Sequence, residues 1–172
     1  IYGSRLSAEM RGGSEMLKRF LRTGLLGLAL LAGPLSADPG KEPVVTYPAS
    51  GTFDEVVENV KWAITGRGLL VSGTLHVQDM LERTGKDLGF PDPVYLQAES
   101  VEFCSAMMSQ QMVAVDPRNL VICPFTVAVY VLASEPEQVY VAYRRQDLAG
   151  DSAEVVEAVT DMLDGIAREA AE

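Results

Sequence analysis

The sequence predicts an α+β fold, a mixed or antiparallel sheet covered by helices in the order β-α-β-α-β-α-β-β-α, and three observations predict it. A capping box, Thr52-Phe53-Asp54-Glu55, opens a helix whose apolar residues recur at helical spacing. A long apolar run, LVICPFTVAVYVLA at 120–133, is followed across Ser134–Gln138 by a second strand-like run, so the two read as a hairpin. A second capping-box sequence, Asp151-Ser152-Ala153-Glu154, opens a final amphipathic helix. Helices that alternate with strands early and flank a late hairpin describe a sheet with a helical cover.

The elements follow one after another from residue 44, in a single domain reaching residue 172. The first helix carries Phe53, Val56, Val57, Val60 and Ile64 on one face and stops at Gly66 or Gly68. LLVSGTLHV (69–77) is strand-like, 79–84 is a short helix, and the glycines and prolines of 85–93 make a loop. A strand at 94–103 leads into a helix at 105–115 and a turn at Asp116-Pro117-Arg118-Asn119. The run 120–133 is too continuously apolar for both faces to be wet, and Pro124 within it points to an edge or a bulge. Val139–Tyr143 completes the hairpin, and the last helix buries Val155, Val159, Met162, Leu163 and Ile166.

The residues before 44 read differently. Lys18, Arg19 and Arg22 precede an apolar run from Leu25 to Ala32, and Leu35-Ser36-Ala37 ends on a small residue, which is the three-part pattern of a secretory signal peptide over 16–37. The run is well short of the roughly 20 residues of a permanent membrane span. The expectation is cleavage near Ala37, a periplasmic or secreted product without a stable membrane anchor, and a Pro/Gly-rich leader at 38–43. Residues 1–15 show neither periodicity nor an apolar face. Their Arg-Gly-Gly-Ser-Glu is encodable by purine-rich codons, as a ribosome-binding site before a start at Met16 would be, so they read as non-native upstream translation.

From Asp38 onward, 9 Lys and Arg stand against 22 Asp and Glu, a formal net charge of −13. Such a chain is repelled by phosphate backbones and anionic membranes, which excludes nucleic acid as a partner class.

SGTFDEVVENVKWAITGRGLLVSG followed by a short helix, then FC, then AVDP, then a Pro-containing strand ending VAVYV resembles the bacterial family called domain of unknown function 302, over about residues 44–145. The resemblance implies a small α+β fold and self-association, and no established reaction. Cys104, Asp116-Pro117 and Pro124 fall at the family's spacing. Where the family has Cys after the proline this chain has Phe125, and its second cysteine, Cys123, precedes Pro124. The helix after Asp151 lies beyond the likeness and reads as an addition.

Cys104 and Cys123 support three readings. A helix of about 11 residues rises ~16 Å and the returning segment 120–123 runs back ~10–13 Å, so the sulfurs can meet as a disulfide in an oxidising compartment. Cys104 at a helix start favours a thiolate and hence redox chemistry. Met108 and Met112, at four-residue intervals from Cys104, share one helix face with it, and such soft sulfurs select copper(I) as a cofactor or cargo. Methionines at that spacing equally fill cores. His76, the only histidine, is read as a strand-end residue before a ligand. Arg144 and Arg145, near Tyr140 and Tyr143, are candidates for gripping an anion. No catalytic residue is assigned. The reading is a non-enzymatic binding or accessory protein whose ligand is open, a small molecule, metal ion or periplasmic protein, and which forms a homodimer through a sheet edge or the last helix. The alternative is thiol-redox or copper(I) handling by Cys104 and Cys123.

Overall fold

The computed structural model describes residues 42–172. The expected upstream segment 1–15, signal peptide 16–37 and most of the leader 38–43 lie outside the described residues.

Within them the expected element order holds: β1 (Val44–Ala49), α1 (Phe53–Gly66), β2 (Leu70–His76), α2 (Val77–Gly85), β3 (Tyr95–Cys104), α3 (Ala106–Val115), β4 (Phe125–Leu132), β5 (Val139–Arg144) and α4 (Ala153–Ala171), with a 3-10 segment at Pro117–Ile122. The capping box forms as the sequence asks. The Glu55 N–H donates to Thr52 Oγ1 at 3.4 Å, and the Thr52 N–H donates to Glu55 Oε2 at 2.8 Å. At the other end of α1, Gly68 takes the left-handed φ of +71°. Arg67 there donates to Ala63 O at 2.7 Å and to Glu169 Oε2 at 2.6 Å, which ties the end of α1 to α4.

The five strands form one antiparallel sheet in the order β1-β5-β4-β3-β2. Period-two alternation sends Val101 and Phe103 of β3, Val127, Val129 and Val131 of β4, and Val139, Val141 and Tyr143 of β5 to one face. Against that face α1 sets Phe53, Val56, Val57, Val60, Ala63 and Ile64, and α4 sets Val159, Leu163, Ile166, Ala167 and Ala170. Each such large side chain contributes about 1.5–3 kcal/mol on burial, so this single layer of helix on sheet is what holds the domain together. The apolar stripe of α4 is used within the chain's own core, and it is not the free surface that a dimer through the last helix requires.

Two local expectations need correction. The strand expected at 120–133 begins at Phe125, because Asp116 caps a 3-10 turn instead: its Oδ1 accepts from the Arg118 N–H at 2.8 Å, and Pro117 sits in the first turn, where its missing N–H costs nothing. Pro124 therefore precedes β4 and marks neither an edge nor a bulge within it, and β4 is the central strand. The second capping box does not form. α4 starts at Ala153 with Ser152 at its N-cap, but the Ser152 hydroxyl points back, to Leu148 O at 3.3 Å and Gly150 O at 3.4 Å.

Candidate functional site

Cys104 is the last residue of β3, and Cys123 follows the 3-10 segment. Phe103 and Phe125 are register partners in the β3–β4 ladder, so the two cysteines sit just outside the same rung. Their Cα atoms are 6.1 Å apart and they form a disulfide, within the usual 4.4–6.8 Å. Both are half-buried. α3 starts immediately after Cys104, where Ser105 Oγ accepts from the Met108 N–H at 3.3 Å.

The methionines divide. Met112 is fully buried and Met108 is packed against the core, while Met107 is exposed. The face of α3 that carries Met108 and Met112 is its inner one, and both cysteine sulfurs are in the bridge. The soft-sulfur set Cys104, Met108, Met112 and Cys123 is therefore not gathered at an open cleft; the methionines fill core.

Asn119, which sequence reasoning passed over as a turn residue, holds this corner. It is buried, its Nδ2 donates to Met112 O at 3.0 Å and to Ala149 O at 3.2 Å, and its Oδ1 accepts from the Ala149 N–H at 2.8 Å. One side chain thus joins the end of α3 to the segment before α4.

The structure does not bring Arg144 and Arg145 together. Arg144 is exposed and lines a shallow hollow with Pro124, Thr126 and Gln146. Arg145 belongs to the other face, beside Tyr47 and Tyr143, and its Nε is buried with no hydrogen-bond partner among the described residues. There the Tyr47 and Tyr143 hydroxyls both donate to Asp164 Oδ1, the latter at 3.0 Å, and Arg168 Nε donates to Asp164 Oδ2 at 2.6 Å. The Arg168 guanidinium also lies over the Tyr47 ring, 4.8 Å from its centre. Burial, then the bond to Asp164, pushes the Tyr47 and Tyr143 hydroxyls above their ordinary pKa. Burial works against the Asp164 charge, but the bonds from Tyr47, Arg168 and Tyr143 outweigh it and hold the carboxyl below its usual range. This network pins β1, β5 and α4 to one another. The i, i+4 pair Asp164 and Arg168 was its only trace in the sequence.

His76 stands at the N-cap of α2, largely exposed, with Nδ1 2.8 Å from Glu99 Oε1. Among the described residues no group of three or more His, Cys, Asp or Glu is placed to hold a metal ion.

The face of the sheet opposite the core is the larger feature. α1 and α4 pack on the core face of β4 and β5, which leaves Tyr130, Leu132, Ala128 and Thr126 of β4, and Tyr140, Ala142 and Arg144 of β5, pointing away from it. Tyr95, Tyr130 and Tyr140 lie side by side there, edge-on at 5.6 Å between Tyr95 and Tyr130 and stacked at 5.3 Å between Tyr130 and Tyr140. All three are half-buried. A row of aromatic rings with polar tips on an open sheet is suited to contact with another molecule.

The profile of the family described as "Domain of unknown function DUF302" matches residues 45–170. The chain belongs to this family. The match runs through α4, so the last helix is part of the DUF302 domain and not the addition expected from the sequence. A search of curated proteins finds no match. Among solved structures, an uncharacterized conserved protein DUF302 from Bacillus stearothermophilus is similar with a TM-score of 0.61 and 14% identity, over 74% of this chain and 98% of that one. At that identity the likeness speaks for the DUF302 fold alone.

Proposed function

We propose that this DUF302 protein is a periplasmic or secreted, non-enzymatic binding or accessory protein, with the disulfide as a staple of its scaffold and the open sheet face as its contact surface. The tyrosine row on that face carries the reading, because Tyr95, Tyr130 and Tyr140 present ring area and hydroxyls together on a rigid sheet. Export is supported by the basic, apolar and small-residue succession before Asp38. The test is a free-thiol count, metal analysis and intact mass on protein from the periplasmic fraction. The expected result is no free thiol, no stoichiometric copper and a mass that starts at Asp38. Two free thiols, or copper at one per chain, would overturn it in favour of the second reading.

That second reading is thiol-redox or copper(I) handling by Cys104 and Cys123. The observation in its favour is that both cysteines are half-exposed next to the N-terminus of α3, within reach of a reductant.

A further inference from the structure

Three cross-strand rows on the open face fix its chemistry. Glu102 is in register with Thr126, whose neighbour on β5 is Arg144, paired in turn with Val44. The next row runs Ser100, Ala128, Ala142, and the one after it Ala98, Tyr130, Tyr140. Glu102 and Arg144 are the charged residues of these rows. They stand two strands apart, about 10 Å, so they do not pair within one chain, and neither has an ion-pair partner among the described residues. The Glu102 carboxylate lies over Gly73, where an added Cβ would be 3.3 Å from Oε2.

A two-fold axis running along β4 and parallel to the sheet leaves each row at its own height and exchanges left for right. β3 of one copy then lies over β5 of the other. Glu102 faces Arg144 of the second copy, twice by symmetry. Tyr140 faces Ala98 of the second copy, a large side chain against a small one, and Tyr130 meets its own equivalent. Sheets packed face to face lie about 10 Å apart with strands roughly aligned, a gap that a glutamate and an arginine together span.

Charge and area agree with this occupant. A chain of formal charge −13 beyond Asp38 can approach a second copy of itself only where acidic residues are scarce or matched; in these rows the one carboxylate is matched, and Glu135 of the β4–β5 turn accepts from the Tyr140 hydroxyl. Five strands about 4.8 Å apart and ~20 Å long present about 500 Å² in projection. Two such faces come to the ~1,000 Å² that a specific interface needs.

We propose that the open sheet face is the interface of a two-fold homodimer, β4 over β4, with Glu102 of each chain against Arg144 of the other. This rests on the reading of that face as a contact surface and names its partner as a second copy. An isologous interface of this kind is tested by charge exchange. Sedimentation of the purified protein at about 50 µM is expected to show a dimer. Glu102→Arg and Arg144→Glu each turn two attractions into two repulsions and are expected to raise the dimer dissociation constant about tenfold or more, while the combined exchange restores it. Circular dichroism melts establish that each variant is folded, and Tyr130→Glu, at the axis, serves as a second disruption. A wild-type monomer at that concentration would overturn the proposal and leave the face to a different protein; the outcome of the thiol and metal analysis would be unaffected. A dimer indifferent to both single reversals and to Tyr130→Glu would also overturn it and place the contact at an edge strand.

Discussion

Removing the bridge with Cys104→Ser and Cys123→Ser together tests how far the scaffold depends on it. The cysteines are 19 residues apart, and closing a loop of that size restricts the unfolded chain by about 3 kcal/mol. The native side changes little, because Phe103 and Phe125 are paired in the ladder beside the bridge, and the β3–β4 pairing continues to Tyr95 and Leu132. With an unfolding entropy of about 2.1 cal/mol/K per residue, a domain of this size then melts about 11 °C lower. Scanning calorimetry of the double variant, and of the wild type with and without reductant, reads this directly. A fall of under about 3 °C would refute the reasoning, by showing that the unfolded chain is held near this closure without the bond. Loss of cooperative melting at all temperatures would refute it from the other side, by showing that the native corner itself needs the link.

Asn119→Ala leaves a buried N–H and two carbonyls without their partner and is expected to cost about 2–3 kcal/mol in urea unfolding, against under 0.5 kcal/mol for an ordinary surface change. Met112→Ala opens a cavity in the core and is expected to cost about 2–5 kcal/mol; an equal loss of copper binding would show instead that Met112 is a ligand. Asp164→Asn is expected to cost about 1–3 kcal/mol at neutral pH through its bonds to Tyr47, Tyr143 and Arg168. Because the folded Asp164 carboxyl is held below its unfolded value, its stabilisation is present above the ordinary carboxylate pKa of about 4 and fades as pH falls through the folded value. Thermal melts from neutral to acid pH are therefore expected to bring wild type and variant together at the acid end, and a gap constant with pH would refute the role given to the charge. Thr52→Ala removes the N-cap of α1 and is expected to cost about 1 kcal/mol.

The element order was legible because each signal was local. The Thr52–Glu55 box, the alternation of Val127, Val129 and Val131, and the turn at Ser134–Gln138 act over a few residues, and the chain obeys them. What escaped the sequence depended on partners far along it. Leu120 to Ile122 read as strand by composition, but Asn119 is anchored to Ala149, thirty residues on, and this keeps the segment in a tight turn. Asp151 to Glu154 had the letters of a cap, and the Ser152 hydroxyl was claimed by Leu148 instead. Pairing of Cys104 with Cys123 was one of three readings until the β3–β4 register, ending at Phe103 and Phe125, set them just beyond the same rung. The Tyr47, Tyr143 and Asp164 network joins three elements, and no spacing rule reaches across it.

β1 sits at the rim of the sheet with β5 as its neighbour, in a register that sets Val44 opposite Arg144. The N–H of Ser50 reaches Ala171 O, and α1 packs on α4. The opening strand therefore has no neighbour in the sheet until β5 has been made, and α1 lacks part of its packing until α4 follows. Contacts of such sequence separation form slowly, and a growing chain meets them last. If the chain is exported as proposed, that order of assembly delays folding while it is being threaded.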